Sequence, residues 1–446
     1  MLYNKKIKLT VTKEESIQLD AQSKMCNWLY NQLFDLVETD YKNGKPKNLL
    51  SGRNLRDEVT VMKQNHPFLY KVHSSPLKNA AFRLKDAYER FFDPGLANEK
   101  PHHRSWKKKW FSLFYDEPNK GFKLLDSQQL SISFGKLTDE EYQECKKVDK
   151  KAKKQIKLTV GLKEKMTLQS NQKIKTLRIT KDLDSYYAVF TIEEKVSSTP
   201  VNSGSFIVFD PNHKNLAVGI GSDGKSYEIV ALKSMLKYWD QRIDEIKSKR
   251  DKCEKQSKLV ITPYTEYFKP SNRWERLNRT LEKAYLKRRE QIKLLLYRYA
   301  HFFSRMYDEI YIGDYVPTPD LAKYKTMKRA MLNQTPIGKF RDTLNWVQEK
   351  NNKHYAKVEE RNTTKTCCVC QHEEKKEPSI RVFTCVNCGT TLSRDMNAVV
   401  NIAEKAKKKL PRSGYIGVKN PIYTVWWDYK QGKVSCGLTS STGSSI

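Results

Sequence analysis

Five of the nine cysteines crowd between residues 367 and 388, in an arrangement suited to binding a metal. TCCVC (366–370) and TCVNCG (384–389) each hold a Cys-x2-Cys turn, Cys367 with Cys370 and Cys385 with Cys388, separated by 14 residues. Each turn bends the backbone so that two thiolates converge, and two turns supply the four sulfurs of a closed, tetrahedral structural zinc site. Asn387-Cys388-Gly389 has the composition of a knuckle turn, and Cys368, lying between ligands, is the least suited to join them. A redox dithiol is the other chemistry of a CxxC turn, but redox sites rarely need two matched turns. Four protein ligands leave no open position, so the expected role is to hold a ribbon together. Cys26, Cys145, Cys253 and Cys436 are scattered singly, and the odd total fits a reduced compartment better than a disulfide scaffold.

Carboxylates form the second constellation. Asp210 ends the apolar run Phe206–Phe209, where a parallel or mixed sheet exposes side chains at its carboxyl edge. Asp395 opens the helical stretch that follows the cysteines. Carboxylates so placed can hold two divalent ions about 4 Å apart, which activate water and stabilise the leaving oxygen of a phosphodiester. Taken alone, each aspartate reads more simply as a turn former or helix cap, and 185 positions separate them. Spacing does not join them.

The chain of 446 residues carries 83 lysines and arginines against 51 aspartates and glutamates, a formal charge of +32. That excess runs along the whole length, as expected for several basic surfaces around a long polyanion. Hydrophobic residues at 38% and aromatics at 11% suffice for packed cores, which excludes wholesale disorder. No stretch approaches the roughly 18 apolar residues of a transmembrane helix, MLYNKKIKLTVTKEES has no signal-peptide core, and no basic amphipathic helix dominates. A soluble nucleic-acid binder is therefore expected. In PHHRSWKKKWFSLFY (101–115), Arg104, Lys107, Lys108 and Lys109 alternate with Trp106, Trp110, Phe111 and Tyr115. This suits phosphate contact with base stacking, or equally a basic edge strand whose aromatics face a core.

The elements that must position these groups follow from periodicity. Residues 1–11 alternate as a strand; Met25, Trp28, Leu29, Leu33 and Leu36 then repeat at helical spacing. Leu77, Ala80, Ala81, Leu84, Ala87, Tyr88 and Phe91 mark another helix, with Ser74 or Ser75 as cap, Pro94-Gly95 as stop, and Lys78, Arg83, Lys85 and Arg90 facing outward. Short strands are expected at Leu130–Phe134, Lys157–Leu162 and Tyr186–Glu193, with the lysine-rich KKVDKKAKKQIK as a solvated loop or helix face. VSSTPVNSGS (196–205) reads as a boundary. Beyond it come three strands in 205–229, a charged helical region over 231–305 broken near Pro263 and Pro270, strand 309–317, helix Lys339–Lys350, strand 354–360 and helix 393–409. VWWDY is apolar, and the last residues look disordered.

DPNHKNLAVGIGSDG, IYIGDYVPT and RNTTKTCCVC…FTCVNCG…SRDMNAVVNIA, in that order, resemble the TnpB family of transposon-encoded RNA-guided nucleases, relatives of type V CRISPR effectors and of Fanzor proteins. The match runs through Thr363, Cys367, Cys370, Cys385, Cys388, Gly389, Arg394, Asp395, Asn397, Ala398, Asn401 and Ile402, with Thr364 where serine is usual. HPFLYKVHSSPLKNAAFRLKDAYERFF resembles the family's recognition helices, and the likeness spans about residues 1–410. One departure stands out. The family's second catalytic residue is a glutamate ending a strand, and in Ile310-Tyr311-Ile312-Gly313-Asp314 a glycine takes its place. Branches with this Gly-Asp form carry a glutamate on the strand before the ribbon, which here is Glu360; Glu359 should face away from it.

The resemblance implies an α/β and α+β multidomain, bilobed protein. A β-barrel wedge (1–10 and 116–200) would hold an inserted helical recognition lobe (11–115). A RuvC-like, RNase H-type domain (201–364 and 392–410) would be split by a zinc ribbon (365–391), leaving a C-terminal tail (411–446). It implies Mg²⁺-dependent, RNA-guided cleavage of double-stranded DNA beside a short flanking motif, leaving 5′-phosphate ends. Asp210, Glu360 and Asp395 would hold two Mg²⁺ ions, with Asp314 in reserve, and Cys367, Cys370, Cys385 and Cys388 the Zn²⁺. Guide RNA and target DNA would be the partners of a monomer or dimer. The expected location is the prokaryotic cytoplasm, at the nucleoid, or the nucleus in a eukaryote. A nuclease-inactive RNA-guided repressor and a guide-free zinc-ribbon binding protein are the rival readings.

Overall fold

The computed structural model describes residues 1–44, 50–96, 98–104, 110–195, 203–230, 232–253, 258–261, 266–316, 335–377, 380–411 and 422–438. The chain divides into two units, residues 1–195 and 196–446.

The first unit is built on strand alternation. In β1 (Leu2–Thr10) the inward positions are Ile7 and Leu9, and in a partner strand, Ser185–Glu194, they are Tyr186, Ala188, Phe190 and Ile192. Between them the chain forms α1 (Lys13–Lys42), α2 (Gly52–Asn65) and α3 (Ser74–Phe92), then β2 (Ser112–Tyr115), β3 (Phe122–Leu124), β4 (Gln129–Lys136), α4 (Asp139–Val148), β5 (Gln155–Leu162) and β6 (Gln172–Asp182). With Ser185–Glu194 as β7, the strands form one antiparallel sheet in the order β2-β6-β7-β1-β5-β4-β3. β1 bridges its halves, pairing through residues 2–8 with β7 and through Leu9 and Thr10 with β5.

Helix α1 starts where Thr12 and Glu15 close a capping box, and α3 starts at His73, whose ring accepts from the Ser75 N–H. The cap of α3 is thus one residue before the expected serines. The lysine-rich run divides between the exposed end of α4 and the turn leading to β5. Strand β6 carries no strong apolar signature because only Leu177 and Ile179 are buried along it.

The basic-aromatic segment 101–115 also divides. Trp106, Lys107, Lys108 and Lys109 lie outside the described residues. The Arg104 guanidinium lies 3.7 Å over the Tyr30 ring and donates to Asn27, and Tyr115 is fully buried. Trp110 stays 47% exposed, with the Arg104 guanidinium 5.9 Å from its ring centre. On α3, Arg83 turns to the Ser112 hydroxyl, Lys78 pairs with Asp116 and Lys85 with Glu89; Arg90 is exposed.

The second unit centres on a mixed sheet. β8 (Phe206–Pro211), β9 (Ala217–Gly221) and β10 (Ser226–Ile229) form an antiparallel meander. Helix α5 (Lys233–Lys252), the hairpin β11 (Lys258–Ile261) and β12 (Glu266–Lys269), and α6 (Asn272–Met306) follow. The hairpin sits where proline breaks alone were expected. Next, β13 (Glu309–Gly313) runs parallel to β8, α7 (Ile337–Lys350) crosses, and β14 (His354–Val358) runs parallel to β13. The small hairpin β15 (Val382–Thr384) and β16 (Thr391–Ser393) leads into α8 (Arg394–Lys405). The segment set apart as a tail supplies β17 (Ile422–Asp428), parallel to β10, and β18 (Lys433–Leu438). The order is β14-β13-β8-β9-β10-β17-β18.

Alternation along β8 determines what each face meets. Ile207 and Phe209 pack against Leu296, Tyr299 and Phe303 of α6 and Phe340 and Leu344 of α7. Phe206 and Val208 face Met396, Val399 and Ile402 of α8. Asp210, two residues beyond Val208, therefore falls on the α8 side. The same parity puts Gly313 with Tyr311, and Glu360 with Ala356 and Val358, on that side.

Candidate active site and metal ribbon

Helix α8 opens with Arg394-Asp395, so its first turn brings Asp395 to the sheet face that carries Asp210. As whole residues, Asp395 and Asp210 are 8% and 5% exposed. Burial raises the Asp210 carboxyl well above the ordinary carboxylate range; the charges of Glu360 and Asp395 add to the rise and Arg394 opposes it. The Glu360 carboxyl is pushed up to about 7, first by burial and then by Asp314, against a hydrogen bond from the Tyr315 backbone and the charges of Arg341 and Lys405. Carboxylates 185 positions apart in sequence thus repel one another in one buried place. Arg381 lies 3.9 Å from Asp395.

Gly313 and Glu360 occupy one space. A Cβ built on Gly313 would fall on Glu360 Oε2, with Pro211 Cδ 3.1 Å away. The Glu360 carboxylate from the end of β14 therefore lies where a side chain on β13 would begin. Glu360 Oε2 is buried without a hydrogen-bond partner, an acceptor suited to a cation. The donor set, hard oxygens with one of them unsatisfied, fits a divalent ion such as Mg²⁺. Asp314 has a different part: its Oδ1 accepts from the Glu360 backbone N–H at 3.1 Å, and its own N–H donates to Val358. Glu359 is exposed and lies 3.8 Å from Lys405.

Arg341, on α7, escaped notice in the sequence. It donates to the carbonyls of Gly313 (3.3 Å) and Tyr315 (2.9 Å), holding the strand end beneath Glu360. Nothing in its surroundings, Lys339-Phe340-Arg341-Asp342, distinguishes it from a surface arginine of a helix.

The two CxxC turns are built alike. Cys367 N–H donates to His372 and Cys385 N–H to Thr390; Gln371 N–H donates to Cys367 and Gly389 N–H to Cys385. Gln371 and Gly389 both take a positive φ, 59° and 69°, which closes each turn. The four sulfurs all lie within 4.8 Å of one another, with Cys370–Cys385 at 3.5 Å and Cys367–Cys388 at 3.7 Å. Tetrahedral Zn–S bonds place sulfurs about 3.8 Å apart, so this set fits zinc. Cys368 stands outside it. Among the described residues this is the one group of three or more metal-ligating side chains whose ligand atoms draw together; the carboxylates are coupled more loosely.

Residues 338–402 match the family described as Cas12f1-like, TNB domain. The transposase-like protein R186 of Acanthamoeba polyphaga mimivirus is 33% identical over 139 residues, 30% of this chain and 28% of that protein. The chain thus spans well under a third of this curated relative. Among solved structures, Cas12f1 in its complex with single-guide RNA and target DNA shares the fold, with a TM-score of 0.57 at 13% identity over 88% of this chain and 83% of that one. The mini-RNA-guided endonuclease CRISPR-Cas phi3 overlaps more loosely, with a TM-score of 0.47 at 11% identity over 92% of this chain and 93% of that one. No described helix is long and apolar enough to cross a membrane.

Two outcomes follow. Purified protein should carry about one zinc per chain by atomic emission, retained in Cys368→Ser and lost in Cys370→Ser or Cys385→Ser. Without divalent ions, the folded state keeps the Glu360 proton to about pH 7, whereas the unfolded chain releases it near 4.5. Folded protein therefore binds the extra proton between those values, so this group's contribution is full below 4.5 and is lost as pH rises through about 7. The thermal midpoint should fall between pH 5 and 8, Mg²⁺ should raise it at pH 8, and Glu360→Gln should reduce both effects, leaving the part that buried Asp210 contributes.

Proposed function

With a TnpB-like family supported by the matched domain, the shared fold and the mimivirus relative, we propose that this chain is an RNA-guided DNA endonuclease. Its carboxylates Asp210, Glu360 and Asp395 would hold Mg²⁺. The observation that carries the reading is the burial of Asp210 beside Glu360 and Asp395, three like charges with an unsatisfied oxygen among them. Such a cluster is costly to ionise without cations and is a functional-site signature. The strand order β14-β13-β8-β9-β10, a meander followed by two parallel strands, supports an RNase H-type sheet.

Bound Mg²⁺ would lower the pKa of an attacking water and neutralise the leaving oxygen of the phosphodiester. The protein's own part is positional. Asp210 sits at the end of a strand packed on both faces, Asp395 on the first turn of α8, and Glu360 above Gly313, its backbone held by Asp314. The cysteines would hold Zn²⁺ structurally. Exposed Arg273, Arg276, Arg279, Lys283, Lys287 and Arg289 along α6 supply phosphate contacts for a guide-target heteroduplex, recognised by its backbone while pairing reads the sequence. Arg288 belongs less to that surface, since it pairs with Asp240 at 3.3 Å.

An inactive, DNA-binding descendant was favoured only by the glycine at 313. Glu360, occupying the space above that glycine, supports the active reading over it.

Protein purified from its host is expected to carry one discrete RNA and, in Mg²⁺, to cut DNA matching that RNA. Asp210→Ala and Glu360→Ala should each lower cutting by more than about 100-fold, since even outer-shell partners of a metal are worth 10–100-fold. Specific DNA binding without RNA would favour a guide-free protein. Normal cutting by Glu360→Ala with loss in Asp314→Ala would overturn the assignment of Glu360.

A further inference from the structure

Helix α8 carries Asn397 and Asn401 one turn apart, which puts both amides on the same face. Both are buried, at 0% and 5% exposure, and both reach the same two carbonyls. Asn397 Nδ2 donates to Thr366 O (2.7 Å) and Thr363 O (3.3 Å), and Asn401 Nδ2 donates to Thr366 O (2.7 Å) and Thr363 O (2.8 Å). Two amide groups offer four N–H donors and two carbonyls offer four lone pairs, so donors and acceptors match in number, while Asn401 Oδ1 is buried without a partner. Asn397 Oδ1 also accepts from the Cys368 backbone at 2.9 Å.

The two carbonyls belong to a turn with a metal candidate at each end. Thr366 precedes the cysteine ligand Cys367. Thr363 directs both its N–H (3.1 Å) and its hydroxyl (2.8 Å) to the Glu360 carbonyl. A continuous path therefore runs from the first CxxC turn, through the asparagine amides, to the backbone of Glu360, and the same helix carries Asp395 in its first turn.

We infer that Asn397 and Asn401 are positioning residues that couple zinc in the ribbon to the geometry of the Asp210–Glu360–Asp395 site, so that the occupancy of either metal site favours that of the other. The inference rests on the reading of those carboxylates as a Mg²⁺ site. Zinc fixes the Cys367 turn and with it the Thr366 and Cys368 groups that the asparagines hold. The asparagines in turn fix Thr363, and Thr363 fixes Glu360. Coupling between two binding events is reciprocal, so it can be read from the ribbon without any cleavage.

The experiment is equilibrium competition for zinc between the full chain and a chromogenic thiol-competitive chelator, with and without Mg²⁺, a hard ion with little affinity for thiolates. In the parent, Mg²⁺ should tighten zinc binding about fivefold or more, the lower range of such couplings. Asn401→Asp keeps the shape but replaces two donors with acceptors facing carbonyls. Its zinc should be held more weakly and without a Mg²⁺ effect, whereas a side chain that merely fills space would tolerate the change. Asp210→Asn, which leaves the asparagine bridge in place, should also lose the Mg²⁺ effect. Thr363→Val removes only the hydroxyl to Glu360 and is measured alongside, in case a buried charge unfolds the aspartate variant; it should show a weakened Mg²⁺ effect.

A Mg²⁺ effect that persists undiminished in Asn401→Asp or Thr363→Val overturns the inference. So does a parent chain without any Mg²⁺ effect; if that parent still cuts matched DNA, the nuclease reading stands alone. Coupling in a chain that does not cut supports the inference and counts against the nuclease.

Discussion

The second unit is organised around a repulsion. Asp210 is buried at the end of a strand with Glu360 and Asp395 beside it, and burial and like charge both resist its ionisation. An isolated arrangement of this kind would relax by turning the carboxylates to solvent. Here the backbone is held on all sides. β8 packs against α6 and α7 on one face and α8 on the other, and the ends of β13 and β14 are tied by Asp314 and Arg341. Arg394, Arg341 and Lys405 offset part of that repulsion, and the divalent cations proposed for the site would offset the rest.

Glycine at 313 belongs to the same account. On β13 it clears the volume that the neighbouring strand fills with the Glu360 carboxylate. Parallel pairing of Gly313 with Val358 places the two strand ends in register, so a carboxylate two residues past Val358 can reach back over the glycine. The bare position on one strand and the carboxylate on the next are thus one structural fact.

Legibility in the sequence tracked the range of the interaction. The CxxC turns were legible because each closes within a few residues, and the sulfurs meet as that spacing requires. Strands such as β7 and the stripe of α3 were legible because burial on one face writes a period into the chain. Asp210 and Asp395 were visible only as strand-end and helix-start residues, and Glu360 only through a likeness to relatives; their meeting depends on pairings across the sheet that local spacing does not carry. β6 was missed because two buried residues leave a weak alternation, and the β11–β12 hairpin because its prolines read as helix breaks. The strands β17 and β18 join the sheet through β10, some 200 positions earlier in the chain, a partner that no local pattern announces. Asn397 and Asn401 were seen as motif residues, but their task, saturating two turn carbonyls, is set by tertiary contact. Arg341 left no trace.

The most direct measurement moves the carboxylate between strands. Gly313→Glu alone should abolish Mg²⁺-dependent cutting of DNA matched to the bound RNA, because its side chain displaces Glu360, and Glu360→Gly alone should abolish it by removing the ligand. The double variant, with the glutamate on β13 and its space vacated, should recover at least about a tenth of the parent rate if the pair behaves non-additively as neighbours do. Full activity in Glu360→Gly, or a double variant no better than the two single ones, would contradict the account.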